Sequence, residues 1–167
     1  TTEISVISLG GLVQTELLNY GGNRLDESIV TSFKRKFNLY IGNKTARQLK
    51  ETIGSALPNR GESMQIVGRD VVSGLPIEFT GESEVVYEGM KNDLANMASS
   101  IKTALEKVPP ELAKDIVHDG IYITGGGSKL HMLSEFISQA TNIKINLCQN
   151  GSDTVAEGLG KVLSDPE

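Results

Sequence analysis

The chain has a single cysteine, Cys148, and no tryptophan. One thiol excludes a disulfide framework and a cysteine-based zinc site, and it fits a reducing compartment. Aromatic residues make up only 5% of the 167, and proline occurs five times. No apolar run approaches the ~18–20 residues needed to cross a bilayer. Residue 1 opens directly into "TTEISVISLGG", without the basic stretch that begins a secretory signal. Positive charge is scarce as well: 16 Lys and Arg face 21 Asp and Glu, for a net charge of −5. That balance argues against nucleic acid as the main partner, because neutralising phosphates takes a basic surface. Lys34, Arg35 and Lys36 form the one dense basic run, which on a helix reads as a solvated face rather than a docking patch.

Glycine, by contrast, is plentiful at 18 residues. Hydrophobic residues at 38% and charged residues at 22% suit a globular chain with a real core, as one domain or two small lobes. A start in mid-strand without Met leads us to expect a piece of a longer protein.

Periodicity supplies the elements. "TEISVISL" alternates with Ile4 and Val6 on one face, and "LVQTELLN" follows Gly10-Gly11, which predicts a β-hairpin. Leu25, Ile29, Phe33 and Phe37 recur every four residues, as one face of a helix does. "GNKTARQLKETIGSAL" predicts a second helix, with Asn43 or Thr45 as N-cap and Gly54 as C-cap. Met64, Ile66 and Gly68 alternate before the turn chemistry of "SGLP", so residues 62–80 read as a strand pair. Val86, Met90, Leu94, Met97, Ile101, Ala104 and Leu105 stripe a long helix over 82–107. Pro110 suits the first turn of a short helix. Strand 120–124, a helix from about 128 to 139, strand 143–147 and a helix over 152–164 complete an α/β pattern.

The stretch "GIYITGGGSKLHML" carries the most chemistry. A strand that ends in glycines and opens a helix places backbone N–H groups and a positive dipole end at one point. Anions and nucleotides settle there, although a tight strand-to-helix turn packed closely would read the same way. The pattern is neither G-x-x-x-x-G-K-[ST] nor G-x-G-x-x-G, and Leu130 breaks G-x-S-x-G around Ser128. His118 and His131 stand thirteen apart with no metal-ligand spacing, so no metal site is expected. Asp115 and Asp119 read as solvated carboxylates near a helix end.

The stretches "TTEISVISLGGLV", "GGNRLDESIV", "NLYIGNKTARQLKETIGSA", "VVSGLP", "PPELAKDIVHDGIYITGGGSKL" and "VAEGLGKVL" occur in an order that resembles the C-terminal half of the MreB/Mbl family of bacterial actin homologues. The resemblance covers nearly all of residues 1–164. It implies an actin-like ATPase (ribonuclease H-like) lobe: a mixed sheet with flanking helices plus a small α+β outer subdomain. Residues 1–23 and 82–167 would build the nucleotide-facing core, with 24–81 inserted as the outer subdomain. ATP with Mg²⁺ would occupy the cleft of the complete protein. Gly125, Gly126 and Gly127 would pass beneath the adenosine and α-phosphate, and Ser128 and Lys129 would help to line the pocket.

By the same resemblance, Thr1 and Thr2 would be the catalytic tail of the second phosphate hairpin, and Gly21 and Gly22 would flank the phosphates. Arg47, Gln48 and Lys50 would lie on the helix that reaches the ribose and base. Arg47 stands where the family has a Glu, and a guanidinium cannot accept from ribose hydroxyls; Gln48 or Glu51 could take that part. The implied function is a cytoplasmic, membrane-associated filament protein that sets rod shape and guides peptidoglycan synthesis. Its partners would be its own copies and cell-wall elongation proteins at the inner membrane, with no membrane segment in this chain. The alternative is a lobe of a sugar-kinase-like phosphotransferase. The complete family protein is a slow ATPase, whereas these residues alone would bind ATP weakly and hydrolyse it negligibly.

Overall fold

A computed structural model describes residues 1–148, 151 and 153–164. The chain begins with a hairpin, β1 (Thr2–Ser8) against β2 (Gly11–Leu18), antiparallel with a bulge between Val6 and Ile7. Ile4 and Val6 share its half-buried face, as the alternation predicts. The turn falls on Leu9 and Gly10, both at positive φ, rather than on the glycine pair: Gly11 is already strand.

Helix α1 (Gly22–Phe37) buries Leu25, Ile29 and Phe33 along the expected stripe. Asn38 closes it in the left-handed region, a role its short side chain tolerates. The two-residue strand β3 (Leu39–Tyr40) has no counterpart in the sequence reading. Helix α2 (Asn43–Thr52) follows. Neither Asn43 nor Thr45 caps it; Gly42 is the N-cap, with no side-chain hydrogen bond. At its other end Ile53 is the C-cap, and the Gly54 N–H donates to the Leu49 and Lys50 carbonyls.

Strands β4 (Ser63–Asp70) and β5 (Pro76–Glu82) pair antiparallel, and β3 joins the edge to give the order β3-β4-β5. Ile66 and Gly68 are buried and Met64 half-buried, so the alternation again marks the inward face. Helix α3 (Ser83–Glu106) buries Val86, Met90, Leu94 and Ala104. Helix α4 (Pro110–Asp119) has Pro110 in its first turn and no buried residue.

Strands β6 (Ile121–Ile123) and β7 (Ile145–Leu147) run parallel, joined by α5 (Leu133–Thr141) in a β-α-β crossover. The glycines between β6 and α5 do not open the expected helix at 128. They lead into a single 3₁₀ turn, Gly126–Lys129, and α5 begins only after Met132, which adopts φ 58°. Helix α6 (Thr154–Ser164) ends the described chain, and the expected helix start at Ser152 lies outside the described residues. Among the described residues both antiparallel and parallel pairing are present, divided among three sheets.

One hydrophobic core unites α1, α2, α3, α5 and the three-stranded sheet through Ile29, Phe33, Leu39, Leu49, Ile66, Val86, Met90, Leu94 and Ile137. Asp93 of α3 pins α1 to it: Ser28 donates to Oδ2 at 2.5 Å, and the Arg24 guanidinium stands 3.5 Å from Oδ1.

Candidate functional site

The residues singled out by sequence gather in two places. The first is the start of α1. The backbone of Thr1 runs so close to Gly21 that a Cβ there would stand 2.5 Å from the Thr1 nitrogen, so the position admits only glycine. Thr2 donates its hydroxyl to the Tyr20 carbonyl at 2.7 Å, which fastens the first strand beside the Gly21-Gly22 loop.

Helix α2 supplies the charges. Lys50 Nζ donates to the Gly22 carbonyl at 2.9 Å and stands 2.6 Å from Asp26 Oδ1, an ion pair off the angle of a hydrogen bond. Only 4% of the Asp26 side chain and 12% of Lys50 are exposed, so each charge needs the other. Arg47 completes the set. Its Nε lies 3.5 Å from Asp26 Oδ2, and its terminal nitrogen donates to Asn23 Oδ1 at 3.0 Å. Asn23, Asp26 and Arg47 border a cleft of about 390 Å³ lined also by Glu27, Asn43 and Lys44. Gln48 is exposed, and its side chain makes no hydrogen bond among the described residues.

Asp26 and Asn23 were missed by sequence reasoning. A signal for Asp26 was present: it precedes Ile29 by three residues and Phe33 by seven, so an acid sits on the buried stripe. Its partners lie more than twenty residues away, and no local pattern names them.

The second place is the glycine corner after β6. Gly125 holds φ +88°, a conformation that L side chains rarely adopt. Its N–H donates to the Gly151 carbonyl at 2.7 Å, and its own carbonyl accepts from the Ser128 hydroxyl at 2.7 Å. The Thr124 hydroxyl stands within reach of the Gly151 carbonyl and Thr154 Oγ1. Above Gly125, Gly126 and Gly127 the space is open: a Cβ on any of them would meet no atom within 4 Å. Lys129 is exposed beside them. The corner is thus a bare main-chain surface, and the dipole of a following α-helix contributes nothing to it.

No hydrogen bond or ion pair joins the two places directly among the described residues. They are linked through the end of α2, where Ser55 bridges His131 in parallel and the Ala56 N–H donates to the His131 carbonyl at 2.8 Å. His131 follows the glycine corner by four residues.

The family model described as MreB/Mbl protein matches residues 1–167. The cell shape-determining protein Mbl of Bacillus subtilis (strain 168) is 36% identical over 166 residues, covering 99% of this chain and 50% of that protein. The cell shape-determining protein MreB of Escherichia coli (strain K12) is 37% identical over 164 residues, covering 98% and 47%. The chain therefore spans about half the length of the relatives it matches. The crystal structure of MreB 5 of Spiroplasma citri bound to AMPPNP superposes with a TM-score of 0.93 at 31% identity, over 97% of this chain and 49% of that one. A MamK double helical filament superposes at 0.81 with 18% identity, over 99% of this chain and 51% of that one, which speaks to the fold alone. The fold is accordingly actin-like.

Proposed function

Because the chain belongs to the MreB/Mbl family, we propose that it forms the second, ATP-binding lobe of an actin-like cytoskeletal protein that polymerises into filaments and sets rod cell shape. The observation that carries the nucleotide reading is the open surface over Gly125, Gly126 and Gly127. A flat adenosine can lie against main chain that presents no Cβ. The Gly125 N–H is spent on Gly151, so this residue would meet a nucleotide by shape and van der Waals contact. The structural relative bound to AMPPNP supports a nucleotide of this class.

The complete protein would supply the rest. Thr1, Thr2, Gly21 and Gly22 would border the phosphates, with Lys50 holding the Gly22 carbonyl in place. Lys50 and Arg47 together exceed the single Asp26 carboxylate by one charge, which would leave that end a net positive field suited to phosphate. Mg²⁺ would accompany the nucleotide's phosphates in the complete protein; among the described residues no three metal-ligating side chains converge. When bound, the metal would neutralise charge on the transferred phosphoryl group. Arg47 faces Asp26 and Asn23 and offers no acceptor to a ribose. Division into a core of 1–23 and 82–167 around an outer unit of 24–81 belongs to the same proposal. So do association with the inner membrane and with cell-wall elongation proteins. No observation favours the sugar-kinase reading.

Amide NMR of the labelled chain during titration with ATP and Mg²⁺ tests the site. Shifts confined to residues 124–129 and 20–23 are expected, with weak affinity and negligible hydrolysis by these residues alone. A Gly126→Val variant should keep the fold and lose the shifts. Unperturbed glycine amides at saturating ATP would remove the nucleotide reading. Micromolar affinity for the isolated chain would remove the need for a second lobe. Light scattering of the complete protein with ATP tests polymerisation.

A further inference from the structure

The chain that leaves α2 is fixed to that helix. The Gly54 N–H donates to the Leu49 and Lys50 carbonyls, and a Cβ on Gly54 would overlap the Lys50 carbonyl oxygen. Arg60 braces the same point, donating from its guanidinium to the Gly54 carbonyl at 2.6 Å. Ser55 and Ala56 come next. They are only 2% and 0% exposed, although neither belongs to a helix or a named strand. What covers them includes the segment past the triple glycine: Ser55 bridges His131, whose carbonyl accepts from the Ala56 N–H at 2.8 Å.

The glycine corner has few other ties. β6 before it is three residues long, and α5 starts only after Met132. Beyond its own residues, the corner is held by the Gly151 carbonyl and by a main-chain relay. The Leu130 N–H donates to the Gly127 carbonyl at 3.1 Å, and the next residue, His131, is the one Ala56 holds. From Ala56 the path runs through Gly54 to Lys50, whose Nζ donates to the Gly22 carbonyl at 2.9 Å. A continuous line of peptide and hydrogen bonds thus joins Gly127 to Gly22, with Ala56 along it.

We propose that Ala56 is a positioning residue of the nucleotide site: through His131 it sets the separation between the glycine corner and the Gly21-Gly22 loop. The inference rests on the nucleotide reading above. Ala56 is fully buried and cannot touch the nucleotide itself. Its contribution is the span between the surface for the adenosine and the loop for the phosphates. A ligand that bridges two places binds best when their separation is set beforehand. A donor as buried as the Ala56 N–H has no water to turn to, so the clasp stays closed without ligand. The link is main chain at both ends, and the exposed His131 imidazole is dispensable to it.

Amide NMR of the labelled 167-residue chain, titrated with ATP and Mg²⁺, tests the inference. Amides 20–23 and 124–129 should report one common affinity. Saturating ATP should also slow hydrogen exchange at the Ala56 amide several-fold, which a merely structural contact would not show. Ala56→Pro removes the donor. It should weaken binding at the corner roughly fivefold and silence the response of 20–23, with an unchanged circular dichroism spectrum. Gly54→Ala, which pushes the segment off the end of α2, should separate the two responses in the same way. Should Ala56→Pro lose the fold, Gly54→Ala and the Ala56 exchange rate decide the matter. His131→Ala should change neither readout; a change there would credit the imidazole and overturn the role of Ala56. A common affinity that survives both main-chain variants, or Ala56 exchange indifferent to ATP while the glycine amides respond, would overturn the inference and leave the nucleotide reading standing. Silent glycine amides in the unaltered chain would remove that reading and the inference with it.

Discussion

At the scale of single residues, the fold depends on a few charges placed where water cannot reach. Asp26 is held between Lys50 and Arg47, and its loss would leave the Lys50 ammonium buried without a counter-charge. Asp26→Ala should therefore lower unfolding free energy by about 3 kcal/mol in urea titration, while Asp26→Ala with Lys50→Met should recover much of it. Gly125→Ala should cost about 1–3 kcal/mol, because φ 88° with ψ 169° is essentially reserved for glycine, although the added methyl meets open space. Asp70 is the residue for pH. Hydrogen bonds from the Ser73 and Val72 amides hold its carboxyl below the ordinary carboxylate range. Its support of the turn is therefore complete above the ordinary carboxylate pKa, and it fades as pH falls through the lowered value. Carboxyl NMR titration should show that depressed midpoint, and Asp70→Asn should remove the acid-dependent loosening of amides 72 and 73.

At the scale of elements, the helix stripes were legible and the ends were not. Leu25, Ile29 and Phe33 announced α1 because a packed helix face repeats its apolar residues whatever lies opposite. The β4 alternation worked for the same reason with a period of two. The failures share a cause: termini are decided by one residue's dihedral angles. Met132 delays α5, Leu9 rather than Gly11 makes the hairpin turn, and Gly42 rather than Asn43 starts α2. None of those residue types advertises the conformation it takes. The glycine corner was legible as a place, whereas the short turn that follows it was not. Gly42 also marks an opportunity. It is extended, at φ −75° and ψ 157°, with open space around it. Gly42→Asp should add a side-chain cap and reduce unfolded-state freedom, for about 1 kcal/mol. A calorimetric midpoint higher by roughly 2–4 °C would confirm it.

At the scale of the whole molecule, burial is uneven. The shared core draws nothing from β1, β2, α4 or α6. Ile7, Leu12 and Leu17 of the hairpin are 69%, 63% and 66% exposed, and α6 leaves Val155, Leu159, Val162 and Leu163 in the open. A two-stranded ribbon with little to lean on is marginal by itself. Hydrogen exchange should therefore release the β1–β2 and α6 amides first and those of α1 and α3 last. Slow exchange in the hairpin would show a cohesion the packing does not supply. The clasp between Ala56 and His131 has a longer reach. It ties two stretches separated by 75 positions along the chain, one leaving α2 and one just past the triple glycine. Excising residues 24–81 in favour of a short linker would thus orphan the His131 carbonyl and unmoor the segment that follows the glycine corner, so those residues cannot be trimmed away as a passenger.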